Sequence, residues 1–311
     1  MTDFDTDRIF QIPRSSQISD VVFTQEHLQR YGLLNDGNVC ALISVFLSFH
    51  RIGLKYHLID PHFCFTLSRH PDFPSWVFMK ILSAMPSTCA FSLQLFIKSW
   101  NHARRSPMIE PGYADVSSLL EGIVSNLQVK QYSNRPPVFT QILASFKCTK
   151  CGLDHVKVRN WVNQIQASVP LLQLPENDES VNVIKLLDDH LKQTFQTRCS
   201  NLGCRSRIMN ARLEVEVGFY TVVAVNRSTD PTRKQTNRLS VDKRSQMFDP
   251  GNLVSIVSHK GDVNSGHFVS YHRVGDTWFL NDDSRMVTMA EDPLNPQSDT
   301  ETVEILFFIN Q

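Results

Sequence analysis

The stretch His259-Lys260-Gly261-Asp262-Val263-Asn264-Ser265-Gly266-His267-Phe268-Val269-Ser270-Tyr271, followed by Gly275-Asp276 and Trp278-Phe279-Leu280-Asn281-Asp282-Asp283, decides how this chain is read. His267–Val274 and Thr277–Asn281 have strand composition, and Gly275-Asp276 between them is a good two-residue hairpin turn. With that turn, Val274 pairs with Thr277 and Val269 lies opposite Asp282. Facing residues share a side of the ribbon, as do residues two apart on one strand. His267 and Asp282 then point the same way as diagonal neighbours, within hydrogen-bond reach. Asp283 falls opposite Phe268 and points to the other face. A slip of one residue would exchange the two carboxylates.

A histidine held by a carboxylate calls for a nucleophile, and chain distance is no obstacle, because such pairs are adjacent in space rather than in sequence. The turn-forming run Gly32-Leu33-Leu34-Asn35-Asp36-Gly37-Asn38-Val39-Cys40 ends where a mostly apolar segment, Cys40 to Phe49, begins. That segment reads as a helix buried on most sides. A thiol at its head meets unpaired backbone N–H groups and the positive end of the helix dipole, which favour thiolate and lower the thiol pKa. The amide of Asn35 is placed to donate to a developing oxyanion. A buried structural cysteine behind a capping loop explains the same segment. His259, at the end of an apolar strand, is the rival base, and a lone histidine there also suits a structural role.

Outward from these boxes, Val116, Leu119, Leu120, Ile123, Val124 and Leu127 recur at helical spacing and predict a second helix. Phe219–Val225, Leu253–Val257 and Val303–Ile309 read as further strands, and residues 228–246 as a polar, basic surface loop. Residues 1–25 are polar and weakly patterned, a tail or extended arm. Helices first and strands later make the class α+β.

Cys148 and Cys151, and Cys199 and Cys204, form two close pairs whose spacings let four sulfurs turn toward one ion, as in a structural zinc site. Unmetallated thiols, or a redox pair at Cys148 and Cys151, are the other readings, and His155 could replace a thiolate. Seven cysteines, an odd number, fit reduced thiols in a cytosolic or nuclear compartment better than a disulfide framework. Cys64 and Cys89 read as small core residues.

In 311 residues the apolar fraction is 41% and the charged fraction 20%, with 31 acidic and 31 basic residues. That balance gives no electrostatic footprint for nucleic acid. The acidic start (Asp3, Asp5, Asp7) lacks a signal-peptide profile, and no apolar run approaches the roughly 20 residues that span a bilayer. An intracellular protein, cytoplasmic or nuclear, is expected, with no nucleic-acid or membrane partner.

With the pieces placed, the chain from about residue 30 onward resembles the ubiquitin-specific protease family as a divergent, near-minimal member. The family's cysteine box, G-L-x-N-x-G-N-T-C, looks like Gly32–Cys40. Its histidine box, H-x-G-x-x-x-S-G-H-Y-x-x-Y, is similar to His259–Tyr271, with Phe268 for the tyrosine, and its W-Y-x-F-D-D element to Trp278–Asp283. A weaker echo, Tyr113-Ala114-Asp115-Val116-Ser117-Ser118-Leu119-Leu120, stands for Q-Q-D-A-x-E-F-L, and Glu304–Phe308 looks like the closing strand. Five boxes in the right order carry the resemblance.

It implies a papain-like cysteine protease with a helical thumb (about 26–130), zinc-binding β fingers with palm strands (about 137–227) and an antiparallel β palm (about 228–311) in one catalytic domain, 26–311. It also implies thiol-dependent hydrolysis after the C-terminal glycine of ubiquitin. The roles implied are nucleophile for Cys40, base for His267, orienting carboxylate for Asp282, oxyanion donor for Asn35 and assisting carboxylate for Asp283. Val39, Ala41 and Ile43 depart from the family pattern but remove no catalytic atom. Tyr113, Ala114 and Ser118 change the substrate-facing helix and leave another modifier, such as SUMO, or a silent ubiquitin-binding module as alternatives.

Overall fold

A computed structural model of the chain describes residues 39–54, 82, 93, 97, 116–128, 138–148, 150–152, 169–176, 180–197, 199, 203–204, 209–230, 233–241, 252–263, 265–283, 285–289, 292–295, 298 and 300–310. The tail at 1–25, Asn35, Cys64, Cys89, Tyr113, Ala114 and His155 lie outside the described residues. Helix α1 is Cys40–Arg51 and α2 is Val116–Gln128. Strands β1 (Gln141–Lys147), β2 (Leu171–Gln173) and β3 (Ser180–Asn182) lead to helix α3 (Val183–Leu191). Then come β4 (Thr194–Thr197), β5 (Met209–Glu216), β6 (Tyr220–Asn226), β7 (Ser228–Asp230), β8 (Arg233–Lys234) and β9 (Arg238–Ser240). The C-terminal block is β10 (Asn252–Asp262), β11 (Ser265–Val274), β12 (Thr277–Asp282), β13 (Arg285–Met289) and β14 (Glu301–Ile309). This α+β arrangement is the papain-like fold.

The centre is a seven-stranded sheet in the order β13-β12-β11-β10-β14-β6-β2, antiparallel except for β2 beside β6. Both faces are covered. Val222, Ala224, Val257, Ile305 and Phe307 face α1 and α2, while Val223, Val225, Ile256, Leu306 and Phe308 face the α3 side. A strand buried on two faces has no polar side to show, which is why β6 and β14 read as continuous apolar runs rather than alternating ones.

Helix α1 is the stem of the first core. Every residue from Ala41 to His50 is buried, and Phe49 packs edge-on against Phe139 and Phe307 at centroid distances of 5.9 and 5.6 Å. No side chain caps its start at Val39, and His50 and Arg51 place basic groups in its last turn, where the dipole favours them. A buried polar chain ties it to the sheet. Ser48 Oγ donates to the Ser44 carbonyl (2.8 Å) and accepts from Ser255 Oγ (2.9 Å). Ser255 Oγ lies 2.9 Å from His272 Nδ1, and His272 Nε2 lies 3.0 Å from Ser270 Oγ.

Two parts differ from the sequence reading. Helix α3 was not expected, although Asn182 caps it by accepting from the N–H of Ile184 and Lys185, and Val183, Ile184, Leu187 and Leu191 form its buried stripe. The described part of 228–246 is built structure rather than a surface loop. Strand β9 pairs in parallel with β3, Leu239 is buried, and the buried Arg227 guanidinium donates to the carbonyls of Val303 (2.9 Å) and Asn237 (2.8 Å). Polar composition misled because Lys234, and Arg227 just before the segment, turn inward onto backbone carbonyls, while Arg233 and Arg238 are exposed.

Candidate active site

The β11–β12 hairpin has Val274 opposite Thr277, and the pairing continues to Ser270 opposite Asn281. Extended by one step, this register sets His267 and Asp282 on one face as diagonal neighbours. His267 Nε2 and Asp282 Oδ1 are 2.6 Å apart. A carboxylate accepting from Nε2–H leaves Nδ1 as the nitrogen with the lone pair.

Asp283 departs from the expected face. Its backbone takes φ 49°, a left-handed conformation that aspartate tolerates, and this ends the strand alternation. Its carboxylate swings back to the histidine side, where ligand atoms of His267, Asp282 and Asp283 all lie within 4.8 Å of one another.

Cys40 is the first residue of α1, and its half-buried sulfur meets the backbone N–H of Phe268, the residue that follows His267. Burial is the leading influence on the thiol and raises its pKa, and the Asp283 carboxylate pushes the same way. The backbone N–H groups of Phe268, Ala41 and Cys40 itself pull it down, Phe268 most of all. The net shift is upward, so the helix start does not by itself make a thiolate here. Desolvation and a neighbouring anion outweigh these backbone donors.

His259 has a different environment. Its Nδ1 is 2.6 Å from Lys234 Nζ, and its ring lies against Phe268 at a centroid distance of 4.6 Å. Burial first, then Lys234 and His267, push its pKa down to about 4, so it is a neutral acceptor near pH 7. Lys234 had no signal in the sequence, since nothing in a short basic run says which cation turns inward. Gly266 was legible only as part of a motif; a Cβ there would lie 2.4 Å from His259 Nε2 and 2.3 Å from the Lys260 carbonyl oxygen.

The paired cysteines meet at the end of a separate three-stranded sheet, β1-β5-β4. Cys148 follows β1, Cys199 follows β4 and Cys204 precedes β5, so antiparallel pairing delivers both pairs to one end. All four Sγ atoms lie within 4.8 Å of one another, with 3.6 Å between Cys148 and Cys204 and 3.7 Å between Cys151 and Cys199. Sulfurs on a tetrahedral zinc with Zn–S of about 2.3 Å stand about 3.8 Å apart, so the four thiols fit that ion and are too far apart for disulfides. The Cys151 N–H leads the influences that lower the Cys148 thiol to about 6, favouring the thiolate a metal needs.

The structure thus sets a cysteine at a helix head beside the Phe268 backbone of a hairpin that carries a histidine–carboxylate contact. The sequence profile of the ubiquitin carboxyl-terminal hydrolase family matches residues 31–308, and the chain belongs to that family. No curated protein matches it. Among solved structures, the SAGA DUB module with a variant Ubp8, Sgf11, Sus1 and Sgf73 bound to monoubiquitin is similar, with a TM-score of 0.60 at 16% identity over 93% of this chain and 71% of that one. The same module bound to ubiquitin aldehyde gives 0.58 at 17% over 93% and 71%, and a yeast SAGA DUBm with a variant Sgf73 gives 0.58 at 16% over 93% and 70%. At such identities these likenesses speak for the fold. Among the described residues no helix is long and apolar enough to cross a membrane.

Proposed function

We propose that the protein is a thiol-dependent deubiquitinase that hydrolyses the isopeptide or peptide bond after the C-terminal glycine of ubiquitin. The observation that carries the reading is the 2.6 Å contact of His267 Nε2 with Asp282 Oδ1 on a hairpin whose Phe268 N–H faces the Cys40 sulfur. The raised thiol favours a resting Cys40–SH, deprotonated by His267 Nδ1 as the sulfur attacks, over a preformed ion pair. The sulfur adds to the glycine carbonyl. The Asn35 amide and backbone N–H groups support the oxyanion, and Asp282 steadies the imidazolium. His267 returns the proton to the departing lysine amine, leaving a thioester on Cys40. Water activated by His267 then attacks the thioester, freeing the carboxylate and restoring the thiol.

A zinc ion held by Cys148, Cys151, Cys199 and Cys204 would tie the ends of β1, β4 and β5 into one rigid finger and take no part in the reaction. The site class suits ubiquitin conjugates as partners, and the protein would work inside the cell, in cytoplasm or nucleus.

The test is to incubate the purified chain with ubiquitin carrying a thiol-reactive group at its C-terminus, beside Cys40→Ala. An adduct on wild type alone supports the reading. Without an adduct on folded protein the ubiquitin reading fails, and probes on SUMO and other modifiers decide whether a different modifier is cut or the site is silent.

A further inference from the structure

A half-buried cation sits on the far side of the hairpin from Asp282. Lys234 Nζ lies 2.6 Å from His259 Nδ1, 3.1 Å from the His259 carbonyl, 3.3 Å from the Gly261 carbonyl and 3.7 Å from Glu304 Oε1. Four partners converge on three ammonium protons, which fixes the end of β10 where the chain turns into β11. An ammonium donating to Nδ1 leaves the proton of neutral His259 on Nε2, and that edge of the ring lies against the backbone at Gly266. The ring face covers Phe268, whose own N–H faces the Cys40 sulfur. Each contact in the series Glu304, Lys234, His259, Phe268, Cys40 is thus direct.

We propose that Lys234 is a positioning residue for the nucleophile, acting through His259 to hold the Phe268 N–H against Cys40. It touches neither Cys40 nor any group that reacts. The charges facing the Lys234–His259 pair are Glu304, Arg227, Asp262 and His267, and Asp283 faces Cys40. Glu304 Oε1 also lies 3.7 Å from His259 Nδ1, but among the described residues Lys234, at 2.6 Å, is the group within hydrogen-bond distance of that nitrogen. A displaced Phe268 N–H withdraws the largest backbone support for thiolate at Cys40.

The inference rests on Cys40 as nucleophile, yet its test needs no modifier: the pH profile of Cys40 alkylation by iodoacetamide, read on the Cys40 peptide by mass spectrometry. Lys234→Met is expected to slow alkylation near neutral pH about three- to tenfold and move the profile upward, since thiolate falls tenfold per pH unit of pKa. His259→Gln removes the ring over Phe268 and should do the same, and the double variant should be no slower than either single one. Thermal melts establish that each variant is folded. A wild-type profile in folded Lys234→Met, or an additive double variant, overturns the proposal. Should Lys234→Met fail to fold, a wild-type profile in His259→Gln overturns it equally. A chain that does not turn over ubiquitin but keeps this alkylation pattern would refute only the substrate reading.

Discussion

Asp282 and Asp283 are neighbours in sequence that reach His267 by different means, one through strand register and the other through a left-handed backbone. The first is positioned by cross-strand geometry and hydrogen-bonds the ring. The second sits close enough to Cys40 for its charge to raise the thiol. Their removal should therefore have opposite signatures.

Asp282→Ala is expected to lower kcat on a fluorogenic ubiquitin substrate by about 100-fold or more, the scale of a lost acid–base orientation. Asp283→Asn removes an anion beside Cys40, makes the thiolate cheaper and shifts the alkylation profile toward lower pH. An upward shift in Asp283→Asn would contradict the assigned electrostatics.

Acid should loosen the fold in a window set by buried histidines. Burial, then Arg51 and His50, depress His272 to about 3, against an unfolded value of about 6.5. A depressed histidine contributes stability that is intact above the unfolded pKa and is lost as pH falls toward the folded one. The urea midpoint should drop between about pH 6.5 and 3, at up to about 1.4 kcal/mol per pH unit from this group. His259, depressed to about 4, adds to the upper part of the window. His272→Gln should flatten the slope; an unchanged slope in that variant would assign the acid sensitivity elsewhere.

Metal analysis of protein purified without chelator should find about one zinc per chain, and Cys151→Ser should abolish it. Stripping the metal is expected to lower Tm without changing Cys40 alkylation, since the cysteines stand on a separate sheet. Zinc retained by Cys151→Ser would mean that another residue completes the site.

Gly266→Ala tests the close approach beside the histidine. The added methyl would press on the Lys260 carbonyl and the His259 ring, so the strand must shift. Destabilisation of about 1–3 kcal/mol is expected, with reduced Cys40 reactivity. A melt and alkylation rate equal to wild type would show that the hairpin yields there at no cost.

Much of this was legible beforehand because it depends on short-range rules. A two-residue turn fixes the register of a hairpin, and register fixes which side chains share a face, so the His267–Asp282 geometry could be counted off the sequence. Asp283 escaped the same counting because one residue with φ 49° breaks the alternation that the counting assumes. Helix α3 was visible in its cap and stripe but lay between two cysteine pairs that drew the reading toward strands. Lys234 and Arg227 were not legible at all. Their inward turn depends on carbonyls and on Glu304, contributed by strands far along the chain.

Because α1 is core from Ala41 to His50, the proposed nucleophile is mounted on the part of the molecule least able to change. Substitutions from Leu42 to Phe49 are expected to act on how much protein survives in a cell, whereas on the proposed mechanism those at Cys40 act on what each surviving molecule does. In a survey of variants that scores abundance and turnover separately, this one helix would split cleanly between the two scores at its first residue.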